Sequence, residues 1–164
     1  VHVVLVAPEI PPNTGNVARL CVGTGAALHL VRPLGFSLSD RHLRRAGLDY
    51  WDRLDLTVHD DFASVLAAKG DAPMHLASVR AGRPYTEAEY TDADWLVFGA
   101  ETGGLPTDLL ARFSEQGIRI PMWGPSRCLN LGNAVAVVVF EALRQTRPAA
   151  FYPPAPAAAS VSGA

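Results

Sequence analysis

Residues Ile120–Glu141, IPMWGPSRCLNLGNAVAVVVFE, decide the fold class of this chain. A short apolar start runs into Pro, Gly, Ser, Arg and Asn, and these open directly into a long apolar segment. A strand that ends in small hydrogen-bonding residues and turns into a helix gathers backbone amides at one rim, where a polar ligand can be held. The β-branched residues Val135 and Val137–Val139 would suit a buried strand as well as a helix. The segment continues through Gln145, with Asn130 or Asn133 available as a cap, and that extent predicts a helix over Leu131–Thr146. Its nearly all-round apolar surface predicts burial in the core or in a subunit interface.

Two other stretches repeat the pattern of strand, polar turn and helix: VHVVLVAPEIPPNTGNVARLC over residues 1–21 and DWLVFGAETGGLPTDLLARF over 94–113. Period and punctuation predict strands near Val3–Ala7, Leu28–Arg32, Leu56–His59, His75–Val79, Trp95–Gly99 and Ile118–Pro121. Helices are predicted over Asn16–Gly23, Asp40–Ala46, Asp61–Ala68, Thr107–Phe113 and Leu131–Thr146. This alternation defines an α/β fold, a mostly parallel sheet with helices on both faces. In such sheets the ligand crevice lies outside the carboxyl ends of the strands, so the three turns are expected at one cleft.

The length of 164 residues and a 49% hydrophobic content fit one domain with a continuous core, here residues 1–147. Residues 148–164 form a Pro/Ala-rich C-terminal tail whose composition is too poor in large apolar groups to order itself. Fourteen basic against 16 acidic residues leave a net charge of −2, so any contact with a polyanion must use a local patch. Cys21 and Cys128 have neither metal-ligand spacing nor the density of a disulfide scaffold, which predicts a reduced cytoplasmic protein. With no bilayer-length apolar run and no signal-peptide pattern, no membrane association is expected. The five histidines lack HExxH or Cys/His spacing, and no metal is expected.

The chemistry-bearing residues cluster in the turns. Pro8–Asn16 ends where a helix carrying Arg19 begins, and a guanidinium one turn beyond the cap can reach an anion held at the loop. A proline-stiffened loop with an Asn or Thr cap would read the same way. In Phe98–Pro106, Glu101 stands among glycines without the ending of a phosphate loop or the spacing of a dinucleotide fingerprint. Ser126, Arg127, Cys128, Asn130 and Asn133 offer more polar groups than capping one helix requires. Arg41, His42, Arg44, Arg45 and Arg53, with Tyr50 and Trp51 beside them, form the densest basic area, as an RNA contact or as a solvated helix face.

The motifs PEIPPNTGNVARLC, RRAGLDYW, FGAETGGLP and IPMWGPSRCLNLGNAVAVVVFEALRQ resemble those of the knotted SPOUT methyltransferases that act on tRNA, over about Val3–Arg147. Within that family the likeness is to enzymes that methylate the ribose 2'-hydroxyl of the wobble nucleotide, cytidine or modified uridine. The resemblance implies a deep trefoil knot near the C-terminus and S-adenosylmethionine as methyl donor. It implies a cofactor pocket at Ser78, Gly99, Ile120, Cys128 and Leu129, and functional polar positions at Asn13, Arg19, Glu101 and Asn130. Arg41, Arg44, Arg45 and Arg127 are the expected RNA contacts, and tRNA and a second copy of the chain are the expected partners. The family commonly has Ser where this chain has Cys128 and Gly132. A non-catalytic RNA-binding member, or a methyltransferase of another RNA such as rRNA, would share these motifs.

Overall fold

A computed structural model describes residues 1–38 and 51–147. The strands are β1 (His2–Val6), β2 (Ala27–Val31), β3 (Leu56–His59), β4 (Met74–Ala77), β5 (Arg83–Pro84), β6 (Trp95–Phe98) and β7 (Gly117–Arg119). The helices are α1 (Pro11–Thr24), α2 (Phe62–Lys69), α3 (Thr107–Arg112) and α4 (Leu131–Thr146). The strands form one sheet in the order β3-β2-β1-β6-β4-β7-β5, and every pairing is parallel. The helix expected over Asp40–Ala46 and the C-terminal tail lie outside the described residues.

Alternate strand positions feed two cores. Val3, Leu5, Leu28, Leu30, Leu96 and Phe98 point to one face and pack with Val17, Ala18 and Cys21 of α1 and with Val135, Val138 and Val139 of α4. Val4, Val6, Val31 and Val97 point to the other and pack with Val65 of α2 and Leu109 of α3. Both faces are therefore covered, as the near-continuous apolar strands require. In α4, Leu131, Val135, Val138, Val139, Ala142 and Leu143 are buried, a one-sided stripe worth about 1.5–3 kcal/mol for each large side chain removed from water. The helix is thus less uniformly enclosed than its composition suggests, because Phe140 on the opposite side is 59% exposed.

Helix α1 begins at Pro11, five residues before the expected start. Pro11 and Pro12 occupy its first turn, where the backbone N–H that proline lacks would have no helical partner anyway. The prolines that read as loop therefore start the helix, and Asn13 and Thr14 lie inside it. Strand β5 carried no apolar signal: it is two residues long at the sheet edge, where Pro84 is tolerated because an edge strand has an unpaired side.

Polar groups in the core are arranged in pairs and rows. His75 Nε2 and Asp94 Oδ2 lie 2.7 Å apart in a buried hydrogen-bonded pair. Burial pushes the Asp94 carboxyl up, but hydrogen bonds from His75 and Thr91 outweigh it and hold it below the ordinary value. His2, His29 and His59 line up across β1, β2 and β3, with ring nitrogens 3.0 Å apart at both contacts. Trp95 covers this row, stacked on His2 with ring centres 4.5 Å apart. Burial and the two neighbouring imidazoles depress His29 to about 4. Because its two nitrogens face different partners, the row cannot converge on one ion; among the described residues no group of three or more His, Cys, Asp and Glu could hold a metal.

Candidate methyl-donor site

Strand order places the first junction of interest. From β1 the chain builds outward through β2 and β3, and then crosses to the other side of β1 for β4, β6 and β7. The loops that follow β1 and β6 consequently diverge at the switch point, where open α/β sheets bind ligands. The register pairs Leu5 with Phe98, Leu76 with Val97 and Ala77 with Ile118. Gly99, Ser78 and Ile120, just beyond those strands, therefore meet at one rim, and Ser78 N donates to Ile118 O at 2.9 Å.

Three junctions, from sequence positions far apart, are joined there by one hydrogen-bonded net. The Glu101 carboxylate accepts from Glu9 N (2.8 Å), Ile10 N (3.3 Å) and Asn13 Nδ2 (3.0 Å). Asn13 Oδ1 in turn accepts from Asn130 Nδ2 at 2.9 Å. Asn130 Oδ1 caps α4 by accepting from Gly132 N at 2.9 Å. The β1–α1, β6–α3 and β7–α4 turns are thus tied through Asn13. No side chain caps α1, whose N-cap is Ile10; a carboxylate from another loop sits at its N-terminus instead, where the helix dipole favours negative charge.

The clamp is reciprocal. The Glu9 carboxylate reaches back to accept from Thr102 N at 3.0 Å and contacts Thr102 Oγ1 at 2.8 Å. Glu101 is legible as an acidic residue among glycines, whereas Glu9 shows in the sequence only as an acidic residue between prolines at a strand end. The glycines of the middle turn are needed sterically: a Cβ on Gly99 would lie 2.0 Å from the Gly104 carbonyl carbon. Gly104 itself has φ +68°, which a side chain would strain.

A cavity of about 620 Å³ opens on this rim, lined by Ser78, Gly99, Glu101, Ile120, Met122, Cys128, Leu129, Asn130 and their neighbours. Of the expected site residues, Asn13, Glu101, Asn130, Ser78, Gly99, Ile120, Arg127, Cys128 and Leu129 all line it. Arg19 does not: it is exposed on α1 and absent from the lining. Arg41, Arg44 and Arg45 lie outside the described residues. Cys128 is exposed at the cavity, whereas Cys21 is buried in α1, where burial pushes its thiol up to about 12. A smaller depression, about 450 Å³, lies by Lys69, Arg83 and Glu115 at the opposite ends of the strands, away from the three junctions.

The fold and its polar-rimmed cleft define an α/β enzyme scaffold with a small-molecule pocket at the strand ends, and the chain belongs to the SpoU rRNA methylase family, whose model matches residues 1–140. It is 53% identical over 147 residues to the tRNA (cytidine(34)-2'-O)-methyltransferase of Burkholderia ambifaria, a match covering 88% of this chain and 94% of the relative. A solved structure described as giving insight into the 2-OH methylation of C/U34 on tRNA superposes with a TM-score of 0.85 at 50% identity, covering 88% of this chain and 94% of that one. An AdoMet-bound rRNA methyltransferase from Sinorhizobium meliloti shares the fold at a TM-score of 0.79 and 24% identity, over 87% of this chain and 55% of that one.

Proposed function

We propose that this protein transfers a methyl group from S-adenosylmethionine to the ribose 2'-hydroxyl of the wobble nucleotide of tRNA, a cytidine or a modified uridine. The observation that carries the reading is the net Glu101–Asn13–Asn130, which ties three βα junctions around a single cavity. Helix capping alone requires one or two of those side chains. The fold of the relatives and the printed activities of those near half identity support the same substrate class.

The residues present fit the methyl donor. The cavity volume lies within the range of about 300–1,000 Å³ usual for small-molecule sites. Ile120, Met122 and Leu129 offer apolar surface for a purine, and the glycine-rich turn and Ser78 offer backbone groups and a hydroxyl for its polar edges. When bound, S-adenosylmethionine supplies an electrophilic methyl group on a sulfonium. The chain's own part is alignment, the first requirement of an in-line displacement: Asn13, Glu101 and Asn130 fix the loops, while Ser78, Gly99, Ile120, Cys128 and Leu129 hold the donor. Arg127, exposed at the mouth, meets the RNA, together with Arg41, Arg44 and Arg45.

Arg19 serves as phosphate clamp and stabiliser of negative charge on the reacting oxygen. A guanidinium, with a pKa above about 12, is not a free base at neutral pH. Its absence from this chain's own cavity lining is accommodated by a homodimer in which α1 of one protomer serves the cavity of the other, and the exposed Phe140 of α4 supports such an interface. The family likeness and the insertion of β7 between β4 and β5 support a trefoil knot in the C-terminal part. No described helix is long and apolar enough to cross a membrane, and a tRNA-modifying role supports a cytoplasmic location.

The test is incubation with labelled S-adenosylmethionine and total tRNA lacking the modification, followed by mapping of the label. Label on the wobble ribose is expected. Label confined to a base or to rRNA, or no uptake, overturns the reading. Arg19→Ala is expected to abolish transfer while leaving donor binding intact by calorimetry.

A further inference from the structure

We propose that Trp123 is a stacking platform for an unpaired base of the RNA substrate beside the methyl-donor cavity, an inference that rests on the tRNA methylation reading above. Trp123 is 92% exposed, more than any other large hydrophobic residue described, whereas Trp95 is buried at 4%. Leaving an indole in water forgoes the large stabilisation its burial would give. Pro121 precedes it and Gly124–Pro125 follow, and the prolines restrict the backbone on both sides of the ring. Met122, the residue before it, and Arg127, four residues on, both line the cavity, but Trp123 itself does not. The indole therefore stands beside the donor pocket without belonging to it.

Charge selects the partner. Between Glu115 and Glu141 the sequence contains no acidic residue and two arginines, Arg119 and Arg127, in a chain whose net charge is −2. An exposed aromatic four residues from an arginine in an acid-free stretch matches the chemistry of single-stranded nucleic acid, whose bases stack while the backbone follows positive charge. A second copy of the chain fits less well. The core of a protein interface is depleted of charge and rich in large apolar groups, whereas Gly124, Pro125, Ser126, Arg127 and Cys128 are all exposed and small, polar or basic. A ribose that reaches the cavity carries its base, or the neighbouring one, to the mouth, where an unpaired loop nucleotide is free to splay onto the ring.

The test compares wild type, Trp123→Ala and Trp123→Phe as full-length proteins, with labelled S-adenosylmethionine and unmodified tRNA. Base stacking on an aromatic is worth roughly 5- to 150-fold in affinity when the ring is removed, so KM for tRNA should rise by that factor in Trp123→Ala. The kcat and the KM for S-adenosylmethionine should stay within about twofold, and Trp123→Phe should recover most of the loss. Indole fluorescence should be quenched by tRNA and by a short single-stranded oligoribonucleotide more strongly in wild type than in Trp123→Phe, which keeps Trp51 and Trp95. An unchanged KM with equal quenching in wild type and Trp123→Phe overturns the inference. So does a Trp123→Ala protein that dissociates to a smaller species by sedimentation and regains its KM at high protein concentration, which would make Trp123 an interface residue. If wild type methylates no RNA, the functional reading fails, and the oligoribonucleotide titration alone decides on stacking.

Discussion

Glu101→Gln should cost stability out of proportion to its size, and the reason lies in donor counting. The carboxylate receives three donors: Oε2 takes Glu9 N, while Oε1 takes Ile10 N and Asn13 Nδ2. A glutamine presents one oxygen and one NH2, so either orientation sets an amide group against at least one N–H. A hydrogen bond to a charged group is worth about 1.5–3 kcal/mol and an unmet donor costs about 1–3 kcal/mol. Since the site is half-buried, the lower parts of these ranges apply, giving a loss of about 2–3 kcal/mol. For a protein of this size that lowers Tm by about 5–10 °C. Glu9→Gln is the control, with the same change of charge. Among the described residues its two oxygens meet Thr102 N and the Thr102 hydroxyl, and the hydroxyl can turn to accept from the new NH2, so Tm should move by less than about 2 °C. Scanning calorimetry of the two variants side by side decides the matter. Equal losses, or a stable Glu101→Gln, would refute the donor-counting argument.

Other expectations follow from single geometries. Gly99→Ala drives a methyl group into the Gly104 backbone at 2.0 Å, and should cost about 3 kcal/mol or more and abolish S-adenosylmethionine binding in titration calorimetry. Gly132→Ser has room, the nearest atom being Asn130 Oδ1 at 3.4 Å; exchanging a helical glycine for serine should stabilise by about 0.5 kcal/mol, and a lower Tm would contradict this. His29, at about 4 in the folded protein against an ordinary 6.5, binds fewer protons folded than unfolded. Its contribution is therefore present above pH 6.5 and is lost as the pH falls towards 4. By pH 5 the loss should reach at most about 2 kcal/mol. Urea titrations at pH 7.5 and 5 should show a smaller difference for His29→Gln than for wild type, and an identical difference would exclude this residue as the source.

Much of the sheet was legible because parallel strands covered on both faces are written as short, nearly continuous apolar runs, as in Val3–Val6, Trp95–Phe98 and Leu28–Val31, the last interrupted only by His29. The start of α1 was not legible: proline at a first helical turn and proline in a loop look alike until one knows which N–H groups lack partners. Strand β5 escaped because Arg83 and Pro84 pair through backbone atoms alone. Within the site, the residues near strand ends could be found from punctuation, but the pairing of Asn13 with Glu101 and Asn130 spans 88 and 117 residues. No local pattern encodes such a contact. The same holds for Glu9, whose partner Thr102 is 93 residues away.

That separation bears on how the protein is made. Glu9 and Asn13 leave the ribosome when Glu101 is still untranslated, and Asn130 comes later still, so an incomplete chain holds the donors for Glu101 without the carboxylate that joins them. The earliest strands can pair as they emerge, but ordering the pocket waits for long-range closure, the slow part of folding a parallel sheet. Truncated or stalled products accordingly lack a competent pocket, and methyl-donor binding reports on completion of biosynthesis as well as on catalytic readiness.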